Sequence, residues 1–197
     1  MIVLGLTGSI GMGKSTVAAM FAEADVPMFD ADATVHRLQG PGGALVAAIE
    51  AAFPDTTGPE GVNRTALGEA VFGDSAAFAR LEALVHPAVA AERAAFLAAH
   101  ADAPLAVLDI PLLFEAGGWD SVDKILVVSA PREVQRERVL RRPGMTEARF
   151  AAILARQIPD AEKRARADFI ISTAGTLDET RAQVRAVIAC LAGGTGR

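Results

Sequence analysis

Residues 2–20, IVLGLTGSIGMGKSTVAAM, constrain this chain more than any other stretch. The apolar run from Ile2 to Leu6 has the length of a buried strand and stops at Thr7-Gly8. Three glycines, at 8, 11 and 13, fall within six residues, and Lys14-Ser15-Thr16 then opens a helical pattern. Gly8, Gly13, Lys14 and Ser15 satisfy G-x-x-x-x-G-K-[ST], with the strand before it and the helix after it that the motif requires. Glycines let the backbone take positive φ and turn successive N–H groups inward, making an anion-binding concavity at the positive end of a helix. A nucleoside triphosphate suits that nest. Lys14 is placed to reach the β- and γ-phosphates, and the Ser15 hydroxyl to ligate Mg²⁺. The competing reading is a glycine-rich turn with an incidental lysine, and the complete motif in its proper context weighs against it.

Composition limits the surroundings of that loop. A chain of 197 residues suits one domain of ordinary size with room for small inserted subdomains. Abundant alanine and scarce aromatics, with no Tyr and one Trp, indicate a helix-rich protein whose interior is built from Ala, Val, Leu and Ile. A net charge of −5 argues against a general nucleic-acid coat, which needs a basic surface, and leaves room for local basic patches. The single cysteine, Cys190, is expected as a small apolar residue in the last helix. No stretch approaches the roughly 20 apolar residues that span a bilayer, and the N-terminal run is too short for a signal peptide. A soluble, cytoplasmic protein is expected.

Val26 to Phe29 is read as a second strand that ends in Asp30-Ala31-Asp32. In an extended chain residues two apart point to the same side, so both carboxylates can face one site beyond the strand's carboxyl end. The alternative is that an aspartate here caps the following helix. From Thr34 to about His100 the periodicity is helical, with no strand. Apolar positions recur at Leu45, Ile49 and Phe53, at Leu67, Val71 and Phe72, and at Leu81, Leu84, Val85 and Val89. Pro41-Gly42-Gly43, 54–61, Gly73-Asp74 and Pro87 break it into several short helices. Too long for one crossover, this stretch reads as a helical insertion suited to a second substrate.

Leu105 to Ile110 is the third strand, Lys124 to Ser129 the fourth and Phe169 to Ser172 the fifth. Asp109 lies in an otherwise apolar run, where a buried carboxylate is costly without a polar neighbour, and is positioned to hold Mg²⁺ through water. After Pro131 a helix carries Arg136, Arg138, Arg141 and Arg142. Arg138 and Arg142 share a face. They read either as a solvated surface paired with Glu133 and Glu137 or, beside a phosphate loop, as cations for a transferring phosphoryl group. An amphipathic helix from Thr146 to Arg156, a charged run from Asp160 to Asp168 and a final helix from Leu177 to Leu191 follow. Residues 193–197 read as a frayed tail, and Trp119, beside Gly117-Gly118, as a loop residue over the core.

Taken in order, GSIGMGKST at 8–16, FDAD at 29–32, Asn63-Arg64, His86-Pro87, PLLFE at 111–115, Gln135, Arg138, Arg142 and Gln157 resemble the dephospho-coenzyme A kinases along nearly the whole chain. The resemblance implies transfer of the ATP γ-phosphate to the ribose 3′-hydroxyl of dephospho-CoA. It implies an α/β, P-loop nucleoside-monophosphate-kinase-like three-layer fold with a five-stranded parallel sheet, a helical CoA-binding subdomain at about 34–100 and a lid at about 138–165. By position, Asp32 is similar to the family's general base, and Arg138 and Arg142 to its lid arginines. Gly8, Gly11, Met12, Gly13, Lys14, Ser15, Thr16 and Gly175 then hold ATP, with Mg²⁺ at Ser15. Asp32, Arg64, His86, Pro111, Leu112 and Glu115 then face the acceptor, although a structural role for His86 stays open. One departure falls after the fifth strand, where Ser172-Thr173-Ala174-Gly175 stands in place of the family's common Asp-Asn before a small residue and Gly; the side-chain recognition of adenine that the resemblance implies loses its usual residues there, and backbone contacts remain available.

Two other functions remain to be separated from this one. Another small-molecule kinase of the same build, acting on a nucleoside, a nucleotide or shikimate, would share the loop but lack the acceptor-side pattern. A slow nucleotide-hydrolysing switch would lack an acceptor subdomain, and no Asn/Thr-Lys-x-Asp guanine-recognition motif occurs. Partners are expected to be small molecules, with no nucleic acid and no membrane; oligomeric state is not legible.

Overall fold

The computed structural model describes residues 1–115 and 117–193. The expected tail beyond Gly193 and the Trp119 side chain lie outside the described residues. In chain order the elements are β1 (Ile2–Thr7), α1 (Lys14–Ala22), β2 (Met28–Asp30), α2 (Ala31–Gln39), α3 (Val46–Ala52), β3 (Thr57–Gly58), β4 (Gly61–Val62), α4 (Arg64–Val71) and α5 (Ser75–Ala99). They continue with β5 (Leu105–Asp109), β6 (Lys124–Ser129), α6 (Arg132–Leu140), α7 (Glu147–Leu154), α8 (Asp160–Ala165), β7 (Phe169–Ser172) and α9 (Leu177–Ala192).

Five strands form one parallel sheet in the order β2-β5-β1-β6-β7. β1 is central, running beside β5 from Ile2↔Leu105 to Leu6↔Asp109 and beside β6 from Leu4↔Lys124 to Thr7↔Val127. The chain crosses from one side of β1 to the other after β5, and the carboxyl end of β1 lies at this switch in strand order, where open α/β sheets bind ligands. Alternation along the strands sorts the side chains. Leu4, Leu6, Leu105, Val107, Leu126 and Val128 point to one face and pack with Val17, Met20 and Phe21 of α1 and Val184, Val187 and Leu191 of α9. On the other face Leu113 and Val122 come so close to Gly5 that a Cβ there would press on both side chains.

The chain divides into two compact units, Met1–Phe29 with His100–Arg197, and Asp30–Ala99. The second unit has its own core of Leu38, Leu45, Ile49, Phe53, Leu67 and Ala77, against which Leu81, Leu84, Val85 and Val89 pack. The helical periodicity of the sequence therefore marks real core positions, with the exception of Phe72, which is 87% exposed just past the end of α4.

Several expectations are corrected here. The strandless reading of 34–100 misses the antiparallel pair β3–β4, whose two-residue strands are too short to carry a period-2 signal. Pro87 does not break the chain but lies inside the 25-residue α5. Proline removes one helical N–H and crowds the preceding turn; here Leu84 and Val85 before it and Ala88 and Val89 after it pack on the same core, which anchors the helix on both sides of Pro87. The helix starting at Glu147 is capped by the Thr146 side chain and ends at Leu154. The charged run after Gln157 contains a helix of its own, α8. Cys190 is in the last helix as expected, but on its exposed side.

The carboxylate pair after the second strand is rearranged most. Helix α2 follows β2 with no intervening turn, and Asp30, in extended backbone, is its N-cap, accepting from the Ala33 N–H at 2.8 Å. Asp32 is already in the first helical turn. Neighbouring side chains in a helix are about 100° apart per residue, so the period-2 argument for a shared face does not apply. Capping is real, but it belongs to Asp30.

Candidate active site

The phosphate loop is built in the first unit. From the end of β1 the chain turns through residues 8–13 into α1, whose N-cap is Gly13 at φ 88°. Gly11 is also left-handed, at φ 77°, and a Cβ on it would overlap the Val139 side chain of α6. Both glycines are therefore required by backbone conformation, and Gly11 also by the approach of α6. No side chain caps α1. Among the described residues the amides of Gly11, Gly13, Lys14 and Ser15 donate to no protein acceptor, whereas Met12 and Thr16 donate to carbonyls within the loop. A helix N-terminus with unmet donors is an anion seat.

Lys14 Nζ pairs with Asp109 Oδ1, and both side chains are largely buried. Asp109 ends β5, in register with Leu6 just before the loop. The polar neighbour expected for this carboxylate is thus Lys14 itself. The pair holds the ammonium at the mouth of the loop in a setting where an isolated charge would be costly.

Arg138 reaches from the last turn of α6 to the end of β7. Its guanidinium donates to the Thr173 hydroxyl at 2.8 Å and to the Thr173 carbonyl at 2.7 Å, and that hydroxyl donates in turn to the Met12 carbonyl at 2.8 Å. Thr173 also abuts Gly13. Arg138, Arg142, Thr173 and Gly175 line a cavity of about 210 Å³ together with Gly11, Gly13, Thr16, Leu177 and Thr180. Arg138 and Arg142, expected as lid arginines, and Gly175, expected at ATP, thus line one cavity with Gly11, Gly13 and Thr16. A second cavity of about 350 Å³ lies on the other flank of the loop, lined by Ser9, Met12, Arg132, Gln135, Gln157 and Asp160 among others.

Pro111, Leu112 and Glu115, expected at the acceptor, lie in the segment that follows β5. The Pro111 carbonyl accepts from the Thr7 hydroxyl at 3.0 Å, and Leu112 is 46% exposed. Glu115 Oε1 accepts from the Ile158 N–H at 2.9 Å and lies 2.7 Å from the fully buried Lys163 Nζ. Burial pushes the Glu115 carboxyl up, but the Lys163 ammonium and the Ile158 amide outweigh it and hold the group below its ordinary value. This carboxylate ties the loop after β5 to α8. Lys163 was missed from sequence because one lysine in a charged run carries no sign of burial.

In the second unit Asp32 and Arg64 line a cavity of about 440 Å³ with Val35, His36, Gln39 and Leu67. Arg64 follows Asn63, whose side chain caps α4. The Arg64 guanidinium donates to His36 Nε2 at 3.0 Å; arginine cannot accept, so Nε2 is the bare ring nitrogen. His36 is a cavity residue that sequence reasoning passed over. His86 is not part of this cavity. Its exposed ring stands 3.8 Å from Glu82 one turn earlier on α5.

The family model described as dephospho-CoA kinase matches residues 2–179. A dephospho-CoA kinase of Novosphingobium aromaticivorans is 64% identical over 186 residues, covering 94% of this chain and 92% of its own. Among solved structures, TT1252 from Thermus thermophilus superposes with a TM-score of 0.85 at 36% identity, over 96% of this chain and 97% of its own. The dephospho-CoA kinase from Campylobacter jejuni, 24% identical over 96% of each chain, shares the fold with a TM-score of 0.66. The phosphate loop, the parallel sheet that carries it and these likenesses lead to one assignment: the chain belongs to the dephospho-CoA kinase family.

Proposed function

We propose that this protein transfers the γ-phosphoryl group of ATP to the ribose 3′-hydroxyl of dephospho-CoA, giving coenzyme A and ADP, the last step of coenzyme A synthesis. The observation that carries the reading is the phosphate loop with four unmet amides at the start of α1, in a chain of this family. Those amides and the Lys14 ammonium bind the phosphates. The loop amides and the Lys14 ammonium, held by Asp109, are in place before the nucleotide arrives, and the triphosphate then draws Lys14 from Asp109 or shares it.

Arg138 and Arg142 supply positive charge beside the loop for the oxygens of the transferring group, and the segment of about 138–165 serves as the lid that excludes water. The unit Asp30–Ala99 takes the acceptor: Asp32 orients its hydroxyl, and Arg64, with His36 behind it, offers a cation for the acceptor's own phosphates. Phosphoryl transfer proceeds through a loose transition state, so Asp32 contributes mainly position and only modestly as a base.

Mg²⁺ fits the residues present. Ser15 offers an exposed hydroxyl in the first turn of α1, Asp109 offers a carboxylate near Lys14, and no group of three metal-ligating side chains occurs among the described residues. That sparse donor set suits an ion that keeps several waters and takes its other ligands from substrate phosphates. Ser15 and Asp109 would hold the ion, which would supply positive charge against the phosphates of the nucleotide. ATP and dephospho-CoA, the small-molecule partners of this reaction, go with a cytoplasmic location; no described helix is long and apolar enough to cross a membrane.

A coupled ADP-release assay with a panel of acceptors tests the reading. Release that depends on dephospho-CoA, and not on shikimate or nucleoside monophosphates, is the expected result. ADP release at the same rate without any acceptor would make the protein a nucleotide-hydrolysing switch instead.

A further inference from the structure

Ile10, in the middle of the phosphate loop, has both of its backbone groups taken by glutamine side chains. Its carbonyl accepts from Gln135 Nε2 at 2.8 Å, and its N–H donates to Gln157 Oε1 at 3.2 Å. The two glutamines come from different places. Gln135 is a buried residue of α6, and Gln157 lies in the linker between α7 and α8. A loop residue with donor and acceptor both satisfied by side chains is held as a strand residue is held by its ladder, although the loop has no neighbour strand.

The linker that carries Gln157 is itself anchored. The next residue, Ile158, donates its N–H to Glu115, Asp160 Oδ2 accepts from the Ser129 hydroxyl at 2.7 Å, and Lys163 meets Glu115 inside the protein. Residues 157–163 thus form a strut fixed to the loop after β5 and to the end of β6, with Gln157 at its tip on Ile10. We propose that Gln135 and Gln157 are positioning residues that bracket Ile10 and keep the phosphate loop in its nucleotide-binding shape before ATP arrives. Pinning both groups of Ile10 orients the peptide planes on either side of it, so the unmet amides that follow are already aimed and little ordering remains to be done on binding. Of the segment proposed above as the lid, only the part before Gln157 is then free to move, because residues 157–163 are tied to the loop, to Glu115 and to Ser129.

The inference rests on the nucleotide-binding role of the loop but not on the identity of the acceptor, so it is read by ATP affinity measured calorimetrically without acceptor. Failure of the dephospho-CoA assignment would leave that readout intact. Gln157→Met keeps the side-chain length and removes the strong acceptor; Gln135→Met removes the donor. In Gln157→Met, the Ile10 amide should exchange with solvent faster, and ATP affinity should fall about tenfold, as expected for losing one hydrogen bond that leaves its partner unmet. The KM for dephospho-CoA should stay at its parental value. Because the two side chains act on one residue, the double variant should lose less than the product of the two single losses. Parental ATP affinity in Gln157→Met overturns the proposal, as does an unchanged Ile10 exchange rate. If Gln135→Met, at a buried position, fails to fold, Gln157→Met at the half-buried linker still decides the matter.

Discussion

Arg138 grips Thr173 through two guanidinium nitrogens, one on the hydroxyl at 2.8 Å and one on the carbonyl at 2.7 Å, while the same hydroxyl hands its proton to the Met12 carbonyl. One threonine therefore joins the end of β7, the last turn of α6 and the phosphate loop. Its hydroxyl does two jobs at once, accepting from Arg138 and donating to Met12. Thr173→Val keeps the shape, removes that hydroxyl and leaves the Met12 carbonyl unmet. Denaturant unfolding should show a loss of about 1–3 kcal/mol, and turnover should fall with it, because Arg138 loses half of its anchor. Thr173→Ser should restore both; parental turnover in the valine variant would show that the anchor of Arg138 is dispensable.

Lys14→Ala removes the cation of the loop. Steady-state kinetics should show a loss of roughly 3 kcal/mol of transition-state stabilisation, about two orders of magnitude in kcat/KM. Stability should fall too, because the largely buried Asp109 carboxylate loses its lysine. Activity near the parental level would remove Lys14 from the phosphate site.

Asp32→Asn should lower turnover while leaving ATP affinity close to parental, since Asp32 lines a cavity of the unit Asp30–Ala99 and the phosphate loop belongs to the other unit. Losing a negative charge from the first turn of α2 costs a further 0.3–1 kcal/mol or so of stability. A parental rate of dephospho-CoA phosphorylation by this variant would move the acceptor-orienting role to another group.

Glu115 links stability to pH. Its folded carboxyl is held below the ordinary value of 4.5 by Lys163 and the Ile158 amide, which outweigh burial. The folded state thus prefers the carboxylate, and the stability this contributes is complete above about pH 4.5 and lost as pH falls through the folded value. Thermal unfolding of the parent should therefore show a falling midpoint in that acid range. Glu115→Gln should be less stable at neutral pH by about 3–5 kcal/mol, because Lys163 stays buried without its partner, and its acid limb should be flatter. Equal acid limbs in parent and variant would show that Glu115 does not carry this part of the pH dependence.

The parts of the fold that were legible from sequence are those with a local signature. Lys124–Ser129 and Phe169–Ser172 are strands at the bounds read from their apolar runs, and the phosphate loop follows from Gly8, Gly13, Lys14 and Ser15 between a strand and a helix. Asp30 and Pro87 show where local signs mislead. An aspartate after a strand can cap or catalyse, and only the immediate start of α2 decides that Asp30 caps. A proline breaks an isolated helix, and only burial on both sides of Pro87 explains why α5 continues.

By itself, then, the sequence determined that a phosphate-binding loop sits on a parallel α/β sheet with a helical insertion, because strand length, glycine spacing and helical periodicity are written within a few neighbouring residues. Tertiary structure alone decided what holds that loop and its cations. Gln157 meets Ile10 across 147 positions, Arg138 meets Thr173 across 35 and Lys14 meets Asp109 across 95. Hydrogen bonds and ion pairs of that span depend on packed elements bringing polar atoms within about 3 Å of each other, and no local pattern of residues encodes which partner will be there.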